Sequence, residues 1–249
     1  MGQINQDVFV CFDLETTGLD AENDRIIEAA VVRFTFDTII DSYETLIDPE
    51  GPISAVSMEI HHITEQMVEG KPKIQEVMPK ILSLIGKNII VGHGIATDIS
   101  FLYAAAKRFC IPCNLASMPY IDTLRLARLY GESPTNSLEM LRAHFNIASE
   151  GAHRALSDVT VNIEVFKFLT TKFKTTEELF ERLKRPIQLK TMPLGKHKGR
   201  PFSEIPLEYL LWASRANFDQ DLLFSIQNEL KKRKKSKPFG IAGSPFSNL

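Results

Sequence analysis

Asp13 and Glu15 stand two residues apart at the end of the β-forming run Val8 to Leu14, just before the polar turn Thr16-Thr17-Gly18. A strand has a side-chain period of two, so both carboxylates leave one face while Leu14 points into the other layer. Like charges this close, partly withdrawn from water, resist ionising together, and a divalent cation relieves the conflict. Two further acids have comparable settings. Asp98 follows the apolar run Asn88 to Val91 through Gly92-His93-Gly94-Ile95-Ala96-Thr97, and Asp158 opens a long apolar helix in His153-Arg154-Ala155-Leu156-Ser157-Asp158. His153 and Asp158 are separated by about 140° around a continuous helix, so they converge only if His153 lies on the loop entering it. A lone acid at a strand end is more often a cap or a solvated side chain. Four acids together, without a Cys or His ligand cluster, suit hard oxygen-preferring ions such as Mg²⁺ or Mn²⁺.

In order and spacing, Asp13-x-Glu15-Thr16-Thr17-Gly18, then Asp98, then His153-x-Ala155-x-x-Asp158 resemble the three motifs of the DEDD-superfamily exonucleases, histidine subgroup. That family includes the proofreading subunit of bacterial DNA polymerase III, exonuclease X, RNase T and oligoribonuclease. The resemblance covers about residues 7–172 and extends to Arg25-Ile26-Ile27-Glu28, Ile60-His61-His62-Ile63-Thr64 and Asn136-Ser137-Leu138-x-x-Leu141. The second motif departs from the family's usual His-Asn-x-x-Phe-Asp: here it reads His93-Gly94-Ile95-Ala96-Thr97-Asp98. The acid and its spacing are kept, so the departure bears on contacts that position a strand more than on metal binding.

The resemblance implies an α/β, RNase H-like fold with a mixed five-stranded sheet flanked by helices. It also implies a 3′→5′ exonuclease that releases nucleoside 5′-monophosphates from DNA 3′ ends by two-metal hydrolysis, in repair or proofreading. On the family's pattern Asp13 bridges two Mg²⁺ or Mn²⁺ ions, Glu15 and Asp158 complete one site, and Asp98 holds the other ion partly through water. His153, with an ordinary imidazole pKa of ~6.5, is suited to take the proton of the attacking water. Leu14, Thr16 and Thr17 meet the terminal nucleotide, while His61, His62, His93 and His144 are structural or strand-contacting. The alternatives are an RNA 3′ exonuclease of the RNase T or oligoribonuclease type and an inactive strand-binding module. The expected partners are a single-stranded or frayed DNA 3′ end, RNA under the alternative, and a DNA polymerase subunit.

The elements that must hold these residues are partly visible in the periodicity. Val8 to Leu14, Ile26 to Phe36 and Tyr43 to Ile47 read as successive strands, a meander closed by the turn Asp48-Pro49-Glu50-Gly51-Pro52. Ile74, Val77, Met78, Ile81, Leu82 and Ile85 repeat at helical spacing up to Gly86. Asn88 to Val91 and Tyr120-Ile121 are further strands, and helices are expected at Asp98 to Phe109, Thr123 to Tyr130, Ser137 to Phe145 and Ala155 to Phe173. Strands first, then alternating helix and strand, argue for an α/β layered fold with a mixed sheet.

A boundary is expected near Lys184-Arg185-Pro186, giving an exonuclease domain at 1–184, a small basic helical module at 185–235 and a disordered tail at 236–249. The module's Met192-Pro193-Leu194-Gly195-Lys196-His197-Lys198-Gly199-Arg200 and the helices Leu207 to Ala213 and Asp219 to Lys232 resemble a unit at the C-terminal end of some exonuclease X-like proteins. Lys196, Lys198 and Arg200 are suited to phosphates, and Trp212 either stacks a base or belongs to the module's core. Gln220-Asp221-Leu222-Leu223-Phe224 is similar to a sliding-clamp-binding peptide, but its helical periodicity favours core packing. Charge divides the same way: of 29 Lys+Arg and 31 Asp+Glu, residues 185–249 hold 12 and 5, leaving 17 and 26 for the rest.

With 44% hydrophobic and 24% charged residues, the chain has an ordinary globular composition. Its apolar runs are far shorter than the ~20 residues that cross a bilayer. The N-terminus lacks the pattern of a signal peptide, and three cysteines, Cys11, Cys110 and Cys113, are an odd set that fits a reducing compartment. The expected location is cytoplasmic, without a membrane partner. Cys110-x-x-Cys113 has no second ligand pair and is read as two unligated thiols.

Overall fold

The structure, a computed structural model, describes residues 3–130, 135–148 and 154–235. The tail expected at 236–249 lies outside the described residues. The chain divides into two compact units, Met1–Lys184 and Arg185–Leu249.

The first unit runs through strands β1 (Phe9–Thr16), β2 (Ile26–Phe34) and β3 (Ile39–Leu46), then helices α1 (Ala55–His61), α2 (Glu65–Val68) and α3 (Ile74–Ile85). Strand β4 (Ile89–Gly92), helix α4 (Ala96–Arg108) and strand β5 (Tyr120–Asp122) follow. Helices α5 (Thr123–Tyr130), α6 (Leu138–His144), α7 (Ala155–Thr170) and α8 (Thr176–Leu183) complete it. The strands form one sheet in the order β3-β2-β1-β4-β5. The first three pair antiparallel as a meander, and β4 and β5 add in parallel. This is the mixed, five-stranded α/β sheet that the sequence leads one to expect.

Helices cover both faces of the sheet, which is why β1 and β2 are apolar at nearly every position rather than at alternate ones. Phe9, Cys11, Ala30, Val32 and Phe34 pack into one layer with α5, α6 and α7. Val10, Phe12, Leu14, Ala29 and Val31 pack into the other with α3 and α4. The alternation carries past the core: Asp13 and Glu15 continue the Phe9–Cys11 row and so emerge on the α7 side. β3 begins at Ile39, earlier than the expected Tyr43, and this edge strand leaves Ile39 and Ile40 exposed, so apolarity does not mark its start. Periodicity also gave no sign of α1, α2 and α8. These are short, and α1 and α8 are set by local caps in which Ser54 and Thr175 accept from Ser57 N and Glu178 N.

The second unit packs helices α9 (Leu207–Ala213) and α10 (Gln220–Lys235) against an irregular hairpin. Met192 N donates to Arg200 O and Gly199 N to Met192 O, closing the turn that carries Lys196 and Lys198. Its core is Leu189, Met192, Phe202, Ile205, Leu210, Ala213, Leu222 and Ile226. Leu222 lies inside that cluster, so the clamp-like segment serves packing. Buried Asp221 and Ser225 accept from Ile187 N and Leu189 N, tying α10 to the incoming chain.

Candidate active site

β1, α4 and α7 deliver the acids. Oxygens of Asp13, Glu15 and Asp158 all lie within 4.8 Å of one another, and no other such group of metal-ligating side chains occurs among the described residues. Asp98, in the first turn of α4, accepts a hydrogen bond from Leu14 N at 3.1 Å, which brings it over the middle of the Asp13-Leu14-Glu15 segment. Asp158 sits in the first turn of α7, where its own N–H closes a helical bond to Arg154 O.

The electrostatics follow from this crowding. Burial, then the charges of Asp98, Glu15 and Asp158, pushes the Asp13 carboxyl well above the usual carboxylate range. Burial, then Asp158, Glu28 and Asp98, pushes Glu15 up to about 8. Burial also raises Asp98. Such a set stays partly protonated unless cations neutralise it. Its donors are carboxylate oxygens alone, which fits hard divalent ions.

Glu28 shows how α7 is held. It pairs with Glu15 across β1 and β2, and its carboxylate is completely buried. It accepts from Arg154 Nε at 3.0 Å and Nη2 at 2.6 Å, and from Ala155 N at 3.0 Å. One carboxylate thus caps the start of α7 and fixes Arg154, the residue after His153. The signal was in the sequence: an acid inside an otherwise apolar strand needs a cation or several donors. In the sequence Glu28 stands out only within the segment Arg25-Ile26-Ile27-Glu28, and nothing marks Arg154 as its partner. His153 lies outside the described residues.

A second brace sets the loop before α4. Asp122, at the end of β5, accepts from Gly94 N and Leu124 N, both at 2.9 Å. Thr123 Oγ1 donates to Asn162 Oδ1 at 2.6 Å and shares a hydrogen bond with His93 Nδ1 at 3.1 Å. Burial pushes His93 down to about 4, so this imidazole stays neutral near pH 7. These partners had no sequence signal, because their roles depend on strand ends meeting in space.

The other expected contact residues divide. Leu14 buries its side chain in the α3–α4 layer and gives its N–H to Asp98. Thr16 is half-buried and donates its hydroxyl to Gly18 O. Thr17 is buried, donates to Asp24 Oδ1 and accepts from Arg25 N, so it holds the following loop. Lys196, Lys198 and Arg200 are exposed on the hairpin of the second unit. His61 is buried, with Nδ1 accepting from Ile63 N. Cys110 and Cys113 are free thiols.

Residues 10–166 match the family described as Exonuclease, RNase_T. The chain belongs to this exonuclease family. Across 173 residues the chain is 35% identical to the DNA polymerase III subunit epsilon of Aquifex aeolicus, covering 69% of this chain and 82% of that one. It is 34% identical over 195 residues to the PolC-type DNA polymerase III of Clostridium perfringens, covering 76% of this chain but 13% of the polymerase. The chain therefore spans only a small part of the PolC-type relatives. Among solved structures, exonuclease X in complex with 5′ overhanging duplex DNA aligns with TM-score 0.52 and 28% identity, over 68% of this chain and 95% of that one. E. coli exonuclease I in complex with a dT13 oligonucleotide aligns with TM-score 0.60 and 22% identity, over 72% and 44%. These likenesses place the sheet in the RNase H-like fold. Residues 181–228 match a second family, described as a putative quorum-sensing-regulated virulence factor. No helix among the described residues is long and apolar enough to cross a membrane.

Proposed function

We propose that the chain is a 3′→5′ exonuclease that removes nucleoside 5′-monophosphates from DNA 3′ ends, in proofreading or repair, with residues 1–184 as the catalytic domain and 185–235 as a separate strand-gripping module. The observation that carries the reading is the approach of the Asp13, Glu15 and Asp158 oxygens to within 4.8 Å, with Asp98 bound to Leu14 N between them. Asp13 would hold two divalent ions, Mg²⁺ or Mn²⁺, with Glu15 and Asp158 on one and Asp98 on the other. When bound, such ions supply Lewis acidity at both the attacking and leaving oxygens of an in-line displacement.

The chain's own residues do the rest. An imidazole nitrogen of His153 takes a proton from the water that attacks phosphorus, and the departing 3′-oxygen is protonated from solvent. Glu28 and Arg154 keep the start of α7, and with it Asp158, in register with β1. Thr16 and the main chain of Leu14 face the terminal nucleotide and Thr17 holds the turn beside it. Lys196, Lys198 and Arg200 contact phosphates through the second unit. The relatives' place in DNA polymerase III and the duplex DNA on the exonuclease X neighbour support DNA as the substrate.

The test uses 5′-labelled single-stranded and 3′-recessed DNA with Mg²⁺, Mn²⁺ or EDTA. A ladder that shortens from the 3′ end with metal, and that Asp13→Ala reduces by about 10²–10³-fold or more, is expected. Degradation of matched RNA with DNA left intact would reassign the substrate class. Strand binding without cutting of either would leave only the inactive-module alternative.

A further inference from the structure

We propose that the second unit carries a base-stacking subsite for single-stranded DNA, formed by Trp212 and the cavity beside it. The proposal rests on the reading of this chain as a DNA exonuclease and adds a site outside the carboxylate cluster. Trp212 is 58% exposed on α9, next to Leu211 and Leu207, both more than two-fifths exposed, whereas Leu210 and Ala213 on the opposite side of the helix are fully buried. α9 thus has its core face and a second, uncovered apolar face. The Trp212 ring is braced: its centroid lies 5.2 Å from Tyr209 and 6.4 Å from Phe218, the latter edge-on. Beside it opens a surface cavity of about 450 Å³ lined by Glu208, Leu211, Trp212, Arg215 and Ala216.

The basic hairpin meets this aromatic row. Lys196 Nζ lies 5.1 Å over the Tyr209 ring. The approach depends on Gly195, which has φ +72° and where a Cβ would come within 2.8 Å of Tyr209 Oη. Residues 185–235 hold 11 Lys and Arg against 5 Asp and Glu. A braced, exposed aromatic beside a cationic turn suits a ligand offering π-faces and phosphates together. A single strand offers both, whereas a duplex keeps its bases stacked on one another. A protein partner matched to the apolar face alone would leave Lys196, Lys198 and Arg200 without counter-charges. Trp212 and its cavity would take a base while these cations take the flanking phosphates.

Trp212 is the chain's one tryptophan, so intrinsic fluorescence reports on it directly. The experiment uses the full chain in EDTA, which prevents cutting, titrated with oligo-dT of about 20 nucleotides, an abasic strand of the same length, and oligo-rU. Oligo-dT is expected to quench the fluorescence, while the abasic strand leaves it unchanged and binds about 5- to 150-fold more weakly for one stacked base. By anisotropy, Trp212→Ala should bring oligo-dT down to the abasic level, and Trp212→Phe should restore most of the loss. Equal affinity for the two DNA strands, or unchanged affinity in Trp212→Ala, would overturn the subsite. Quenching by oligo-rU at lower concentrations than by oligo-dT would overturn its assignment to DNA. Binding is read without hydrolysis, so Asp13-dependent cutting with no quenching sinks the subsite alone, and quenching without cutting sinks the nuclease reading alone.

Discussion

At the scale of single residues, the acids of the site are harmful to the fold they sit in. Asp13 and Glu15 are raised above their ordinary values by burial first and by one another's neighbours second. For a carboxyl raised on folding, stability is fully present below the unfolded pKa near 4 and is lost as pH rises towards the folded value, which for Glu15 is about 8. The metal-free protein should therefore lose on the order of a few kcal/mol between pH 5 and 8.5. Divalent ions held by the ionised acids would offset that loss, so the rise in Tm on adding Mn²⁺ should be much larger at pH 8.5 than at pH 5.5. Thermal melts with Mn²⁺ or EDTA at both pH values decide this. An equal rise at both would show that the cluster is not the ion's seat. Asp13→Asn should melt higher than the unaltered protein in EDTA at pH 8.5 and respond less to Mn²⁺, because it removes one of the repelling charges along with a ligand.

At the scale of elements, the site depends on where α4 and α7 begin, and each start is fixed from a neighbouring strand. Arg154 is partly exposed but Glu28 is not, so the two halves of their pair differ in consequence. Arg154→Ala leaves a buried carboxylate with Ala155 N as its remaining donor and should cost about 3 kcal/mol. Glu28→Gln removes the charge along with the cation's partner and should cost less, while loosening the start of α7, and with it Asp158, enough to lower kcat about 10- to 100-fold. Urea denaturation and single-turnover rates on both variants test this order. Gly94 carries the loop before α4 at φ +69°, with nothing within 4 Å of a would-be Cβ. Backbone conformation, not space, sets what fits there. Gly94→Ala should destabilise by about 1–2 kcal/mol, and Gly94→Asn by clearly less, since Asn tolerates the left-handed region. Equal losses in the two would show that the loop relaxes. The sequence made the meander, the apolar helices and the four acids legible because hydrophobic period and motif spacing are local. It did not make the Glu28–Arg154 clamp or the Asp122 brace legible, since those bonds join residues 126 and 28 positions apart. Gly94, in the sequence a departure that questions strand contacts, suits a left-handed turn that only the backbone displays.

At the scale of the whole molecule, acidic and basic residues are unevenly divided. Residues 1–184 hold 17 Lys and Arg against 26 Asp and Glu, so on the proposed reading the part with the carboxylate cluster would repel a polyanion in the absence of bound cations. Residues 185–249 hold 12 against 5. Part of that surplus is structural: Arg233 pairs with Glu229 and donates to Ile205 O and Phe202 O. Lys196, Lys198 and Arg200 are exposed on the hairpin, Lys196 with its Nζ over the Tyr209 ring. Each phosphate contact on a single strand contributes ~0.7 to the slope of log Kobs against log[salt]. If all three make such contacts, replacing them together with Ala should lower that slope by about 2 and weaken binding most at low salt. The measurement is anisotropy of labelled oligo-dT over a range of salt concentrations in EDTA, with Lys80→Ala as a single loss of charge in the first unit. A slope unchanged in the triple variant would mean that the hairpin is a solvated basic turn. A drop of about 2 with an unchanged slope in Lys80→Ala would assign the electrostatic grip to the second unit. The acidic first unit, as the proposed catalytic domain, would then owe its hold on the strand to cations at the cluster and to a grip supplied elsewhere in the chain.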